Sequence, residues 1–432
     1  MTWQAPPSTH DGPTIFLGTT DSLFIAAQVA LTQTFSAPTF TATGSNQHVV
    51  IFGTIAGRSG GIMGDDLTAD SGHWLTVAKS GHLQAFESGA LVTSGSTRID
   101  NAGTISSFAS QGIVCNDGSA VPQQSVISNS GLIEAGQTAI YVFDTVSSSM
   151  VVRNSGTISG GFTAFSDISV VPNVDTIINT GTMIGAVFLG SGNDVYDGRL
   201  GVLRGYVEGG DGNDREYTGA GKDTLYGGSG NDALMGGAGA DFLNGGAGID
   251  AVIYNSATTG VIASLLTGGL SGDAKGDVYS QVENLIGSAF GDRLTGNTTA
   301  NQLIGGAGND VLNGGFGNDT LFGQAGQDSF MFSTAPNSLT NADRIMDYVI
   351  TDDRILLDDA AFAGVGALGV LAATAFRLNS TGLAGDASDR IIYNFATGAL
   401  FFDHDGLGGA AGVRFATLIP GLVMVNTEFA VF

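Results

Sequence analysis

A chain of 432 residues with 68 glycines, 8 prolines and 43% hydrophobic residues is long enough to bury an extended core, yet few segments have helical periodicity, so strands and turns are expected. Fifteen Lys and Arg against 40 Asp and Glu leave a formal charge of −25, which excludes nucleic acid and anionic membrane as natural partners. No apolar run suits a transmembrane helix, and a single cysteine, Cys115, excludes an intramolecular disulfide; it reads as a small strand residue.

From the amino terminus, MTWQAPPSTHDGPTIFLG lacks a basic region and a long apolar stretch, and the first basic residue is Arg58, so no Sec-type signal peptide is expected. Residues 1–187 are expected to form a parallel β-helix, with rungs and an end cap in the first 47 residues. The ground is a repeat of the form I-x-N-x-G-x-I at Ile99–Ile105, Ile127–Ile133, Val152–Ile158 and Ile177–Met183, with weaker copies at Val49–Ile55 and Val77–Leu83. Gly53, Gly81, Gly103, Gly131, Gly156 and Gly181 thus recur every 22 to 28 residues, the length of one coil. Alternation turns the apolar residues inward, and Asn101, Asn129, Asn154 and Asn179 fall in a column suited to a hydrogen-bonded ladder. A β-sandwich is the alternative, but sandwiches do not repeat their sequence in this way. The repeat resembles those of bacterial surface adhesins and autotransporter-like passenger domains.

The densest polar group in this half is Asp65, Asp66, Asp70 and His73, joined by His82 from the next coil. Such a set could supply acid and base to a polysaccharide epimerase or lyase, with Arg58 and Lys79 the cations nearest in sequence. The competing reading is acids decorating a turn, and no catalytic residue is assigned. The five histidines form no H-E-x-x-H, and no G-x-S-x-G, P-loop or C-x-x-C occurs.

Residues 188–253 and 287–331 hold two blocks of nine-residue units, five each in Gly209–Ile253 and Gly287–Met331, of the form Gly-Gly-x-Gly-x-Asp-x-(apolar)-x. Position six is Asp214, Asp223, Asp232, Asp241, Asp250, Asp292, Asp310, Asp319 or Asp328, with Asn301 in the remaining unit. Position eight is apolar except at Glu216, so one side chain per unit points inward. Six residues should turn and three form a short strand, with glycine supplying positive φ and letting carbonyls crowd together. If two units close one coil, residues 18 apart stack at about 4.8 Å and their carboxylates face one gap. Such a column repels itself when bare, whereas Ca²⁺ accepts six to eight hard oxygen ligands, so several calcium ions are expected and metal binding should be coupled to folding. The Asn301 layer should be the weakest. Leu189–Asp197 carries the same core two residues out of phase, which makes Asp194 a further candidate.

The nonapeptide resembles the RTX, or haemolysin-type, calcium-binding repeat. That resemblance implies a parallel β-roll in which carbonyls near positions two and four join the position-six side chain as ligands. On this chain they would come from Gly210, Gly212, Gly219, Gly221, Gly228, Gly230, Gly237, Gly239, Gly246 and Gly248 in the first block, and from Gly306, Gly308, Gly315, Gly317 and Gly326 in the second.

Residues 254–286 read as an elaborated coil between the blocks, with Asp273, Asp277 and Glu283 read as solvated loop charge in preference to the alternative, a site for a further ion. Residues 332–432 are expected to form a β-rich cap, and Thr427–Phe432 resembles the terminus of type I secretion substrates. Asp403-x-Asp405-Gly reads as a turn rather than half an EF-hand loop. The whole is read as an all-β protein: a parallel β-helix, RTX β-rolls and a cap, extracellular or at the cell surface. Its expected partners are calcium, the type I secretion machinery, and a surface glycan or matrix protein. Its role is read as non-enzymatic, in adhesion, matrix or assembly, with a polysaccharide-processing enzyme as the alternative.

Overall fold

A computed structural model resolves the chain into two compact units, residues 1–236 with 244–248, and residues 237–243 with 249–432. The structure describes every residue except 1, 5–9, 12–14, 18–21, 28, 43–45, 64–71, 87–89, 117–123, 144–147 and 170. Parallel strands build both units, and the only helical segments among the described residues are three short 3-10 turns. No described helix is long and apolar enough to cross a membrane.

In the first unit, Leu23, Val49, Leu75, Ile99, Ile127, Val152, Ile177 and Tyr196 lie in register on successive parallel strands. A second sheet stacks Ile55, Leu83, Ile105, Ile133, Ile158 and Met183. All of these side chains are fully buried, as the two-residue period of a strand requires when one face is inside. Each contributes about 1.5 to 3 kcal/mol of burial. The motif's asparagines form the expected ladder: Asn101 donates to Asn129, Asn129 to Asn154 and Asn154 to Asn179, each at 2.8 Å. Its glycine has a packing cause, since a β-carbon on Gly131, Gly156 or Gly181 would run into the carbonyl of the corresponding glycine one coil earlier.

The coil then narrows. Residues one coil apart are separated by 25 positions at Asn154 and Asn179, by 20 at Asp194 and Asp214, and by 18 at Asp214 and Asp232. Tyr196 fills the first narrower rung, and its hydroxyl receives the last ladder amide, from Asn179. The two extra residues that put Leu189–Asp197 out of phase are therefore a longer coil in the same stack.

The second unit stacks Val252, Leu285, Leu303, Leu321 and Ile345 on one sheet, and Leu294, Leu312, Phe330, Ile355 and Phe429 on the other. Between Val252 and Leu285 an antiparallel pair, Ile262–Ser264 with Gly268–Ser271, is inserted, and Ile262–Ser264 continues the roll beside Arg293–Thr295. Farther along, Ile391–Asn394, Ala399–Phe402 and Val413–Thr417 pair antiparallel, and Phe332, Phe362, Phe402 and Phe415 meet edge to face at 5.0 to 5.2 Å.

One sequence expectation needs correction. Strands of three residues do occur, as at Ala233–Met235 and Val311–Asn313, but they alternate with strands of six, Thr224–Ser229, Gln302–Ala307 and Thr320–Ala325. The longer strands run through the glycine pair because Gly210 and Gly228 remain in parallel register despite their positive φ.

Candidate metal columns

The turns are set by glycine at positions two and four. Positive φ is found at Gly210, Gly212, Gly221, Gly228, Gly230, Gly237, Gly246 and Gly248, and at Gly306, Gly308, Gly315, Gly317 and Gly326; Gly219 and Gly239 lie between strands, whereas Gly210, Gly228, Gly246 and Gly306 fall at the ends of the longer strands. A β-carbon on Gly228 would collide with the Gly210 carbonyl oxygen, and one on Gly246 with that of Gly228. Main-chain oxygens of successive turns are thus packed in rows, beside the position-six acids.

Those acids form ladders of their own. In the first unit the amide of Met150 donates to Asp175 Oδ1 at 2.7 Å, that of Asp175 to Asp194 at 2.6 Å, that of Asp194 to Asp214 at 2.8 Å, and that of Asp214 to Asp232 at 2.8 Å. One carboxylate oxygen is used within each link. The other, Oδ2, is buried without a hydrogen-bond partner in Asp175, Asp194 and Asp214. Asp223, on the other flank of the coil, is buried beside Thr218.

The second unit repeats the scheme. The amide of Asp292 donates to Asp310 at 2.7 Å, that of Asp310 to Asp328 at 2.9 Å, and that of Asp328 to Asp353 at 2.9 Å. On the other flank Asn301 donates to Asp319 at 2.8 Å and Asp319 to Asp343 at 3.1 Å. Again Oδ2 of Asp310, Asp319 and Asp328 is buried with no partner.

The spacer acids correct the loop reading. Asp277 is 2% exposed and accepts the Asp241 amide at 2.9 Å and the Tyr254 hydroxyl at 2.7 Å. Glu283 accepts the Asp250 amide at 2.8 Å. Both stand where a repeat would place its aspartate, so they belong to the ladders and not to solvated loop charge; Asp273 does not join them. Asp175, Asp343 and Asp353 were also missed as ladder members. The legible signal was a triplet, acid-x-apolar, at Asp175-Thr-Ile177, Asp277-Val-Tyr279, Glu283-Asn-Leu285, Asp343-Arg-Ile345 and Asp353-Arg-Ile355.

In two units of the second block the position-six side chain is satisfied by protein groups. Asp292 receives the Ser288 amide at 2.5 Å and the Ser288 hydroxyl at 2.9 Å. Asn301 accepts the Asn297 amide and donates to the Glu283 carbonyl, both at 2.8 Å. Their sequences, GSAFGD and GNTTAN, lack the full set of glycines. The turn at Asp403 is as expected, with its Oδ1 accepting the amides of Asp405 and Gly406.

Burial pushes the carboxyls of Asp194, Asp214 and Asp310 up to about 7 and those of Asp319 and Asp328 to about 6. The donated amides counteract this, while neighbouring carboxylates add to it, such as Asp232 beside Asp214 and Asp328 beside Asp310. Bare ladders therefore resist ionisation, and a divalent cation between layers would reverse that penalty. Hard oxygen donors, an orphaned carboxylate oxygen per layer and rows of carbonyls fit calcium. No three His, Cys, Asp or Glu side chains converge on a point among the described residues, so an ion here would complete its shell from the main chain.

A family model for the RTX calcium-binding nonapeptide repeat matches four times, at residues 206–225, 217–252, 286–321 and 295–330. The chain thus carries RTX calcium-binding nonapeptide repeats in both of its glycine-rich blocks. Its RTX blocks are calcium-binding modules, and the acid ladders are the feature of the fold that calcium would organise. No curated protein matches the chain.

Of the other candidates, Asp65, Asp66 and Asp70 lie outside the described residues. His73 is 1% exposed in the strand His73–Val77, whereas His82 is exposed on the strand His82–Ala85. Cys115 is buried in the strand Ile113–Asn116.

Proposed function

We propose that this is a secreted, non-enzymatic RTX protein whose rolls fold on calcium outside the cell and whose amino-terminal solenoid presents a binding face in adhesion, matrix or assembly. The observation that carries it is the orphaned Oδ2 in successive layers of the acid ladders. Extracellular calcium modules work at about 10⁻⁴ to 10⁻³ M, far above cytosolic calcium, so the acid columns are held apart by their own charge until export. The ligands are the position-six aspartates with carbonyls of the position-two and position-four glycines, and Asp292 and Asn301 are the poorest of the set.

A surface role is supported by an open groove along the first solenoid, lined by turn residues of successive coils, Ala78, Ala102, Ser130, Ser155 and Thr180, with Asp100 and Arg153 beside them. Small side chains in a row suit an extended polymer chain or a protein edge. His73, the histidine of the acid cluster, is buried, which favours this reading over an epimerase or lyase.

Two experiments test it. Circular dichroism in EGTA and after adding millimolar calcium should show β structure gained on calcium; a spectrum indifferent to chelator removes the folding trigger. A glycan and matrix-protein binding screen at millimolar calcium should return a partner, while release of unsaturated uronate from alginate-like polymers would establish the enzyme instead. Export is tested by expressing the chain with and without a type I exporter, and secretion independent of the exporter would refute that route.

A further inference from the structure

Glu216 stands where the repeat calls for an apolar residue. It occupies position eight of its unit, in register between Tyr196 and Leu234 on the inward face of the roll. It is fully buried, and beyond the backbone amide of Gly209 its carboxylate oxygens have no hydrogen-bond partner. An ionised carboxylate in an apolar column is costly unless something charged meets it. Its direction shows what that is. A β-carbon placed on Gly209 would lie 2.7 Å from Glu216 Oε1, 2.6 Å from the Gly227 carbonyl oxygen, and against Asp214 Oδ2. Three oxygens from three parts of two stacked units therefore converge on the bare face of one glycine, and two of them belong to acids.

We propose that Glu216 reaches from the core side to become a calcium ligand, sharing one ion with Asp214 Oδ2 and the Gly227 carbonyl. The proposal rests on the RTX calcium reading and adds to it two ligands that the repeat pattern does not name, the Glu216 carboxylate and the position-one carbonyl of Gly227. The layer at Asp214 then offers two carboxylates from one unit, where the other units offer one. Since charge count tunes calcium affinity, this ion is the most tightly held of the first block. The same geometry explains Gly209: any side chain there would enter the space between the oxygens.

The test uses the full-length chain, with calcium as the probe, by equilibrium dialysis and isothermal titration. Wild type should show a tightest site that Glu216→Gln weakens at least tenfold while the remaining ions still bind. Glu216→Leu, which restores the apolar residue of the repeat, should lose the same site and keep the calcium-bound β spectrum. Isotherms identical to wild type in these variants overturn the proposal. Carboxyl-¹³C glutamate NMR on wild type gives an answer that does not depend on a variant folding. The Glu216 resonance should be ionised and should move as calcium is added, and a carboxyl still protonated at neutral pH in saturating calcium overturns the assignment. A wild-type chain that takes up no calcium would instead refute the broader RTX reading, so the two failures are distinguishable.

Discussion

Gly228 carries two constraints at once: its φ is +111°, and the carbonyl of Gly210 occupies the place a β-carbon would take. Gly228→Ala should therefore cost at least the 1 to 3 kcal/mol of a forced backbone conformation, about, and be read as a lower melting temperature in calcium. Asn301 illustrates the opposite case, a residue adapted to do without the ion. Its amide bridges to the Glu283 carbonyl at 2.8 Å, so Asn301→Asp exchanges a hydrogen bond of about 1 kcal/mol for a charge. That variant should melt earlier than wild type in EGTA and bind calcium more tightly at this layer in a titration. Equal behaviour in both conditions would mean that Asn301 is not part of a metal layer.

At the scale of elements, two ladders pass through neighbouring positions of one stack. Asn179 closes the amide ladder at the end of the strand Thr176–Asn179, and Asp175, just before that strand, belongs to the acid ladder. Asn129→Ala would break the bonds to Asn101 and Asn154 and strand buried polar atoms, for an expected loss of about 1 to 3 kcal/mol in urea unfolding, independent of calcium. The spacing of Asn101, Asn129, Asn154 and Asn179 made this ladder legible in the sequence, because a solenoid returns each residue of a coil to the same corner. The position-six acids were legible for the same reason. Asp277, Glu283, Asp343 and Asp353 were not, because insertions between coils destroy the nine-residue phase while leaving the coil's geometry intact. Sequence period counts residues, whereas a ladder requires only that the chain come back to the same place.

For the whole molecule, the raised carboxyls link folding to pH. A carboxyl whose folded value is about 6 to 7, as in Asp194, Asp214, Asp310, Asp319 and Asp328, binds more protons folded than unfolded between about pH 4 and 7. Without calcium, stability should fall as pH rises through that window and recover on acidification. Calcium needs the ionised form, so acidification should release it. Thermal melts from pH 5 to 7.5, in EGTA and in calcium, should thus slope in opposite directions, and parallel slopes would show that these acids do not face the metal.

The 18-residue coil of the nonapeptide blocks also has a mechanical meaning. Leu303 and Leu321 sit one above the other with 18 residues of chain between them. A coil peeled from the end of such a stack releases about 60 Å of extended chain. Every layer clamped by an ion is then a separate catch against tension, resetting when calcium is present, so a tether of this design would lengthen in equal steps under load instead of rupturing at once.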